Sequence, residues 1–354
     1  MAKILMKGNE AIGAAAIKAG CNYFFGYPIT PQNELPEYMS RELPKVNGCF
    51  LQAESEVAAI NMVYGAAGAG ARVMTSSSSP GMSLKQEGIS YIAGAELPCV
   101  IVNIVRGGPG LGGIQPAQSD YYQATRGGGN GDYRHLVYAP STLQETVNLV
   151  MEAFDVADQY RMPVMIVGDG MIGQMMEPIE FKNHKNRELP VKDWITDGTK
   201  GEREPNIINS LFIDPQELED HVNDRLEAKY RIIEEKEVRY EDYNVEDADV
   251  VCVAYGTTSR IVKNAIAECE AEGLKVGLIR PITLWPFPHK VFDKITDKTK
   301  GILTVEMSTG QMIDDVKIAI AGRKPVYFHG RTGGMIPNPN DIVNEIKKIA
   351  GGEK

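Results

Sequence analysis

The chain is poor in the residues that build metal centres and in the runs that cross membranes. Its 354 residues include five cysteines and five histidines. The cysteines (Cys21, Cys49, Cys99, Cys252, Cys269) stand far apart, with no CxxC pair. That excludes a zinc ribbon or an iron–sulfur cluster built from local motifs. Each cysteine lies in or beside an apolar stretch and reads as a reduced core thiol. No histidines cluster as ligands or stand with a nucleophile, so metal-hydrolase and serine-hydrolase chemistry lacks support. The longest apolar runs, such as 100–105, fall far short of the roughly 20 residues that span a bilayer. Residues 1–7 have no long apolar core followed by a small-residue cleavage site. A cytoplasmic protein without membrane contact is expected. Basic charge is scarce as well. Lys and Arg number 37 against 47 Asp and Glu, a net charge of −10, which disfavours nucleic acid as a partner.

What is present is an ordinary soluble composition, 43% hydrophobic and 24% charged. The length suggests two domains with a connecting segment. Glycine is the exception. There are 36, and nine fall within the 26 residues from Arg106 to Gly131. So dense a cluster marks backbone conformations or close approaches that side chains would forbid.

In the first half, short apolar runs alternate with helical patterns. Strands are expected at 22–27, 72–75, 98–105 and 163–167, and helices at 54–68 and 141–161, the latter with a capping box of Ser141 and Gln144. This alternation argues for an open parallel α/β sheet, whose ligands sit at the carboxyl ends of the strands. Thr30, Ser76–Ser79, Arg106 and Asp169 all fall there. The stretch 182–204 is charge-rich and weakly periodic. Residues 215–240 carry Leu218, Val222, Leu226, Tyr230 and Ile233 at helical steps, an amphipathic helix lying across another surface. A second α/β unit follows, with strands expected at 249–255, 275–279, 301–305 and 325–328. The expected division is 1–177, a charged connector 178–245, and 246–354.

Several segments could carry chemistry, each with a plainer alternative. Gly168-Asp-Gly170 could begin a magnesium–diphosphate site, whose oxygen ligands suit a hard cation. Its downstream asparagines, Asn183 and Asn186, come too early, and a simple strand-to-loop turn is the favoured reading. Glu54-Ser-Glu56 places two carboxylates at the start of an apolar helix. They either complement the helix dipole or share a proton with a heterocycle nitrogen. Tyr27-Pro-Ile-Thr-Pro31 is a rigid turn that presents the Thr30 hydroxyl. Thr75-Ser-Ser-Ser-Ser-Pro-Gly81 is a polar loop or an anion cradle. Arg106 ends a strand just before Gly107-Gly-Pro-Gly-Leu-Gly-Gly113, which does not fit a dinucleotide fingerprint because Pro109 interrupts it.

In order along the chain, Tyr27-Pro-Ile-Thr-Pro31, Gln52-Ala-Glu-Ser-Glu56, Thr75–Gly81, Gly94-Ala-Glu-Leu-Pro98, Arg106-Gly-Gly-Pro109, Gly168-Asp-Gly170 and Glu306-Met-Ser-Thr-Gly310 resemble the α subunit of 2-oxoacid:ferredoxin oxidoreductases. The resemblance implies a pyrimidine-type thiamine-diphosphate-binding domain followed by a transketolase C-terminal-like α/β domain. It implies thiamine diphosphate shared with a β subunit that carries the diphosphate and Mg²⁺ motif, so Gly168-Asp-Gly170 would not be the metal site and this chain would hold no metal. Iron–sulfur clusters would sit on partner chains, among them γ and ferredoxin-like δ subunits. Coenzyme A would be co-substrate and ferredoxin the electron acceptor.

Carried over by position, Glu56 would bond the cofactor's aminopyrimidine ring and act in catalysis, while Thr30 and Arg106 would hold the 2-oxoacid carboxylate. Tyr27, Pro28, Ile29, Ser78 and Ser79 would line the cofactor. Glu54 has no assigned role. Arg106-Gly-Gly-Pro-Gly-Leu-Gly-Gly and Gly127-Gly-Gly-Asn-Gly-Asp-Tyr133 look most like the branched-chain, 2-oxoisovalerate group. Gly110-Leu111 stands where 2-oxoglutarate relatives tend to carry a serine-threonine step, although Arg126 and Arg134 could each pair a second carboxylate. The alternatives are a 2-oxoglutarate enzyme, a non-catalytic scaffold homologue, or a self-sufficient thiamine enzyme.

Overall fold

The computed structural model describes residues 3–182 and 187–352. Asn183 and Asn186, on which the spacing argument for Gly168-Asp-Gly170 drew, lie outside the described residues.

The first half supplies strands β1 (Ile4–Lys7), β2 (Tyr23–Gly26), β3 (Cys49–Gln52), β4 (Val73–Ser77), β5 (Cys99–Val105), β6 (Leu136–Tyr138), β7 (Pro163–Asp169) and β8 (Met176–Ile179). Between them run helices α1 (Gly8–Lys18), α2 (Glu34–Glu42), α3 (Glu56–Gly68), α4 (Ser79–Gly94), α5 (Tyr121–Arg126), α6 (Leu143–Tyr160) and α7 (Gly170–Gln174). The second half adds β9 (Tyr240–Tyr243), β10 (Val250–Val253), β11 (Val276–Pro281), β12 (Thr283–Trp285), β13 (Gly301–Glu306) and β14 (Val326–Gly330).

Seven strands form one sheet in the order β12-β6-β7-β5-β4-β2-β3, and five form a second in the order β14-β13-β10-β11-β9. All pairs are parallel except β12 with β6 and β9 with β11. The α/β architecture expected from the alternation is therefore present. Central strands of a parallel sheet are covered on both faces, which demands continuous apolar sequence. β5 meets that demand with every residue buried, and Asn103 is its single polar member. Its register with β7 runs from Cys99 opposite Pro163 to Val105 opposite Asp169. Arg106 and Gly170 thus leave the sheet side by side.

Two local expectations are corrected. The serine run is not a loop: β4 continues through Ser77 because its register with β5 extends from Met74 to Ser77, and α4 begins at Ser79. The capping box of α6 lies one residue later than expected. Thr142 accepts from the Glu145 amide at 3.2 Å, and the Glu145 carboxylate accepts from the Ser141 amide at 2.7 Å. A carboxylate at the third helical position is the stronger acceptor, and here it also takes two bonds from Arg280. The connector helix runs from Pro215 to Lys236 with a wider turn over His221–Glu227. It buries Leu226, Tyr230 and Ile233 and leaves Leu218 exposed. Among the described residues no helix is long and apolar enough to cross a membrane.

Among the bonds that join the two halves, one buried amide makes three. Gln118 donates through Nε2 to the Tyr255 carbonyl at 3.0 Å. Its Oε1 accepts from the Thr258 hydroxyl at 2.9 Å and the Met307 amide at 3.0 Å. Replacing Gln118 with Leu leaves three buried groups without partners. A loss of roughly 3 kcal/mol is expected in denaturant unfolding, at about 1–3 kcal/mol for each stranded group.

Candidate active site

The carboxyl edge of the seven-stranded sheet collects the polar residues singled out above. α3 starts where Ser55 accepts a hydrogen bond from the Ala58 amide at 3.2 Å. Glu56, the next residue, is 6% exposed and lies in the positive field of the helix end. Its carboxylate fits because α4 has no side chain at residue 81. A Cβ on Gly81 would fall 2.5 Å from Glu56 Oε1 and 2.3 Å from Ser77 Oγ. Further along the two helices, a Cβ on Gly88 would meet Ile60 Cγ2 at 2.5 Å. Small residues on α4 therefore let the helices approach closely enough to enclose the glutamate. Among the described residues no hydrogen-bond donor reaches the Glu56 carboxylate.

The serines after β4 are part of this edge. The Ser76 hydroxyl donates to Gln32 Oε1 at 2.6 Å, tying the 27–32 turn to the sheet. Ser79 adopts φ of 20°, a strained value for a residue with a side chain. Its surroundings hold it there. The amide donates to Asn103 Oδ1 at 3.2 Å, and the hydroxyl donates to Asp120 Oδ2 at 2.8 Å and accepts from the Arg106 amide at 3.1 Å. The hydroxyls of Ser77 and Ser78 are buried without partners.

Arg106 is buried, and its guanidinium donates to two backbone carbonyls, Thr30 at 2.8 Å and Leu111 at 3.0 Å. Its Nε–H has no partner, and no carboxylate of the described residues pairs with it. A buried guanidinium in that state can accept a bidentate anion. Thr30, Arg106 and Ser79 are thus joined by hydrogen bonds along the strand ends, while Glu56 lies apart from them against Gly81 of α4. Of the other residues expected here, Tyr27 and Pro28 are exposed and Ile29 is half-buried on the turn above the edge. A cleft of about 920 Å³ begins at Thr30 and runs past Met171, Met175 and Arg260 between the two halves. Glu56 is not among the residues that line this cleft.

Three sequence readings change. Glu54 precedes the helix cap and is exposed, so a single carboxylate opens α3. The helix is less buried than its apolar residues suggested, since Val57 and Asn61 face outward. Gly168-Asp-Gly170 is a strand-to-helix junction: Asp169 caps α7 by accepting from the amides of Met171 and Ile172, and it also accepts from the Thr257 hydroxyl. Burial pushes its carboxyl above the ordinary range, against those three bonds. Among the described residues no group of three or more His, Cys, Asp or Glu could hold a metal ion. Four cysteines are buried and Cys49 is exposed.

Lys85, Asn103, Asp120 and Gln32 were not anticipated. Lys85 and Asn103 did leave a signal, a charge on the small-residue face of α4 and an amide inside an apolar strand. Lys85 is wholly buried and donates to Thr75 Oγ1 at 2.8 Å. Arg126 is committed elsewhere. It pairs with both carboxylate oxygens of Asp315 and packs over Tyr122. With Arg134 it borders a separate cavity beside Trp285, away from Arg106.

The class defined by this sheet and edge is borne out by comparison. Residues 14–244 match the family described as pyruvate flavodoxin/ferredoxin oxidoreductase, thiamine diphosphate-binding, and residues 248–342 match pyruvate:ferredoxin oxidoreductase core domain II. The chain belongs to the 2-oxoacid:ferredoxin oxidoreductase family, the thiamine-diphosphate-dependent enzymes that the motif series resembled. It is 51% identical to ketoisovalerate oxidoreductase subunit VorB of Methanothermobacter marburgensis, over 99% of both chains. It is 37% identical to 2-oxoglutarate synthase subunit KorA of Methanocaldococcus jannaschii, over 96% of this chain and 98% of that one. A solved 2-oxoglutarate:ferredoxin oxidoreductase from Magnetococcus marinus superposes with a TM-score of 0.87 at 27% identity, covering 98% of this chain. This chain spans 65% of that neighbour's length. A split-gene transketolase, with a TM-score of 0.61 at 15% identity, shares the fold.

Two outcomes follow from the geometry. Gly81→Ala puts a methyl where the carboxylate lies and should weaken thiamine diphosphate binding at least tenfold in calorimetry, with unchanged secondary structure by circular dichroism. Burial pushes the Lys85 ammonium from its ordinary 10.5 down to about 7, while Glu56 and then Cys99 act in the opposite sense. Between those values the unfolded chain holds a proton that the native state has released, so native stability rises with pH across that window. Melting curves of wild type minus Lys85→Met should have this positive slope, and a flat difference would contradict the burial.

Proposed function

We propose that the chain is the α subunit of a complex that oxidises 2-oxoisovalerate, or a closely similar branched-chain 2-oxoacid, to its acyl-coenzyme A and CO₂, passing electrons to ferredoxin. The observation that carries this reading is the presence on one sheet edge of a buried Glu56 carboxylate that receives no hydrogen bond among the described residues and a buried Arg106 whose Nε–H is unpartnered among them. The residues fit thiamine diphosphate. Glu56 offers an acceptor at low dielectric to a heterocycle nitrogen, and the orphaned hydroxyls of Ser77 and Ser78 await a polar neighbour. When bound, the cofactor supplies the nucleophilic carbon and electron sink for decarboxylation.

The chain's own residues then have definite tasks. Glu56 shares a proton with the ring nitrogen and so sets the basicity of the neighbouring amino group. Arg106 receives the substrate carboxylate on the N–H groups that Thr30 and Leu111 leave free, and the Thr30 hydroxyl supports it. Because no carboxylate of the described residues neutralises Arg106, the substrate itself would provide the counter-charge, which favours 2-oxoacids over neutral ketones. The loop from Gly107 to Gly113 closes on itself through the Gly113 amide and the Gly107 carbonyl at 2.9 Å, covering the guanidinium.

The apolar side-chain preference rests on two features. Leu111, 82% exposed on that loop, replaces hydroxyl-bearing residues of the 2-oxoglutarate group, and Arg126 is held by Asp315. The 51% identity to a ketoisovalerate oxidoreductase subunit supports the same substrate.

A β subunit carrying the diphosphate and Mg²⁺ motif would complete the pocket at Glu56. The exposed Val57, Leu84 and Tyr91 of α3 and α4 suit such an interface. In this reading the iron–sulfur clusters belong to partner subunits, γ and δ, and the complex is cytoplasmic. The domain division at 177 and 245 belongs to the same proposal.

The test is the assembled complex under anaerobic conditions with a substrate panel and ferredoxin or a viologen acceptor. Turnover should be greatest with 2-oxoisovalerate, and Glu56→Gln should lower it by about 100-fold or more. Preference for 2-oxoglutarate would overturn the substrate, and undiminished turnover in the variant would overturn the role of Glu56.

A further inference from the structure

We propose that Lys85 is the positioning residue for Glu56, a buried lysine that helps seat the glutamate against α4. The inference rests on the reading of Glu56 as the cofactor's partner and concerns what holds that carboxylate ready. Lys85 lies one helical turn beyond Gly81, the residue whose missing side chain admits Glu56, and one turn before Gly88, which packs on Ile60. Lys85 thus leaves α4 on the helix face that carries the two closest approaches to α3. It is wholly buried and makes one hydrogen bond, to the uncharged Thr75 hydroxyl of β4.

The titratable groups that act on it are Glu56 from α3 and Cys99 from β5. Burial pushes the Cys99 thiol up to about 12, so it stays neutral. Glu56 is therefore the carboxylate whose charge acts on Lys85, without a direct ion pair between them. A lysine enclosed among apolar side chains is costly without such a partner, and a methionine of similar volume would pack there more favourably. The charge at residue 85 is explained by what it does for Glu56.

The decisive experiment is a double-mutant cycle on the assembled complex freed of thiamine diphosphate. Lys85→Met, Glu56→Gln and the double variant are compared by thermal and denaturant unfolding. Removing either partner strands the other's charge, whereas removing both strands neither. The double variant should be at least as stable as Lys85→Met, and strictly additive losses would overturn the proposal. Should Lys85→Met fail to assemble, the double variant decides: it assembles if the two charges depend on each other and fails if Lys85 serves packing alone.

Two functional readouts accompany the cycle. Lys85→Met should weaken thiamine diphosphate binding at least tenfold, with Lys85→Arg recovering most of it. It should also lower turnover at saturating thiamine diphosphate, with Lys85→Arg restoring it, which lost packing would not do. An additive cycle with cofactor binding still lost in Glu56→Gln would remove Lys85's role and leave that of Glu56. A non-additive cycle with unchanged binding in Glu56→Gln would do the reverse.

Discussion

Everything at this site depends on a carboxylate occupying space that a single methyl group would fill. Gly81 has no Cβ, and the Glu56 carboxylate takes that volume. From this packing constraint follow the close approach of α3 to α4, the burial of the glutamate, and its placement beside the serines that end β4. A carboxylate in water would be a weak and non-selective partner for a heterocycle nitrogen. Withdrawn into the interface, it interacts far more strongly with the few groups that reach it.

The rest of the sheet edge sets where Arg106 stands. β5 and β7 run in register to Val105 and Asp169, so two residues at adjacent strand ends take opposite tasks. Asp169 turns inward to cap α7 and accept from Thr257 of the second half, a structural use. Arg106 turns toward Thr30 and keeps its remaining donors unspent. Gln118 and Asp169 both bind the second half to the first at this edge, so the second α/β unit holds the edge in place. Asp120 extends the arrangement by fixing Ser79, and burial pushes its carboxyl above the ordinary range despite bonds from Asn103 and Ser79.

Much of this was legible in the residues. The strands around 98–105 and 163–167 announce themselves as continuous apolar runs, and the parallel α/β class follows from their alternation with helices. Thr30 and Arg106 could be placed at strand ends because strand boundaries near proline and glycine are well marked. The serine run was harder, since nothing local says whether consecutive hydroxyls continue a strand or leave it; register with β5 decides. Glu54 and Glu56 look equivalent in sequence, and the position of the Ser55 cap separates them. Lys85 left only a faint signal, a charge on a small-residue helix face, because a lysine on a helix is ordinarily solvated. Gly168-Asp-Gly170 shows the limit of a short motif: the residues suit a metal ligand set, yet both Asp169 oxygens are occupied by the fold itself.

The central claim is that Glu56 controls the proton inventory of the thiamine ring and thereby activates it. Its most direct test is the rate at which the thiazolium C2 hydrogen exchanges with deuterium in the assembled complex, followed by quenched-flow NMR. The account predicts exchange much faster than for free thiamine diphosphate in the wild type, falling to near the free rate in Glu56→Gln while the cofactor remains bound. Equal, accelerated exchange in both proteins would contradict it.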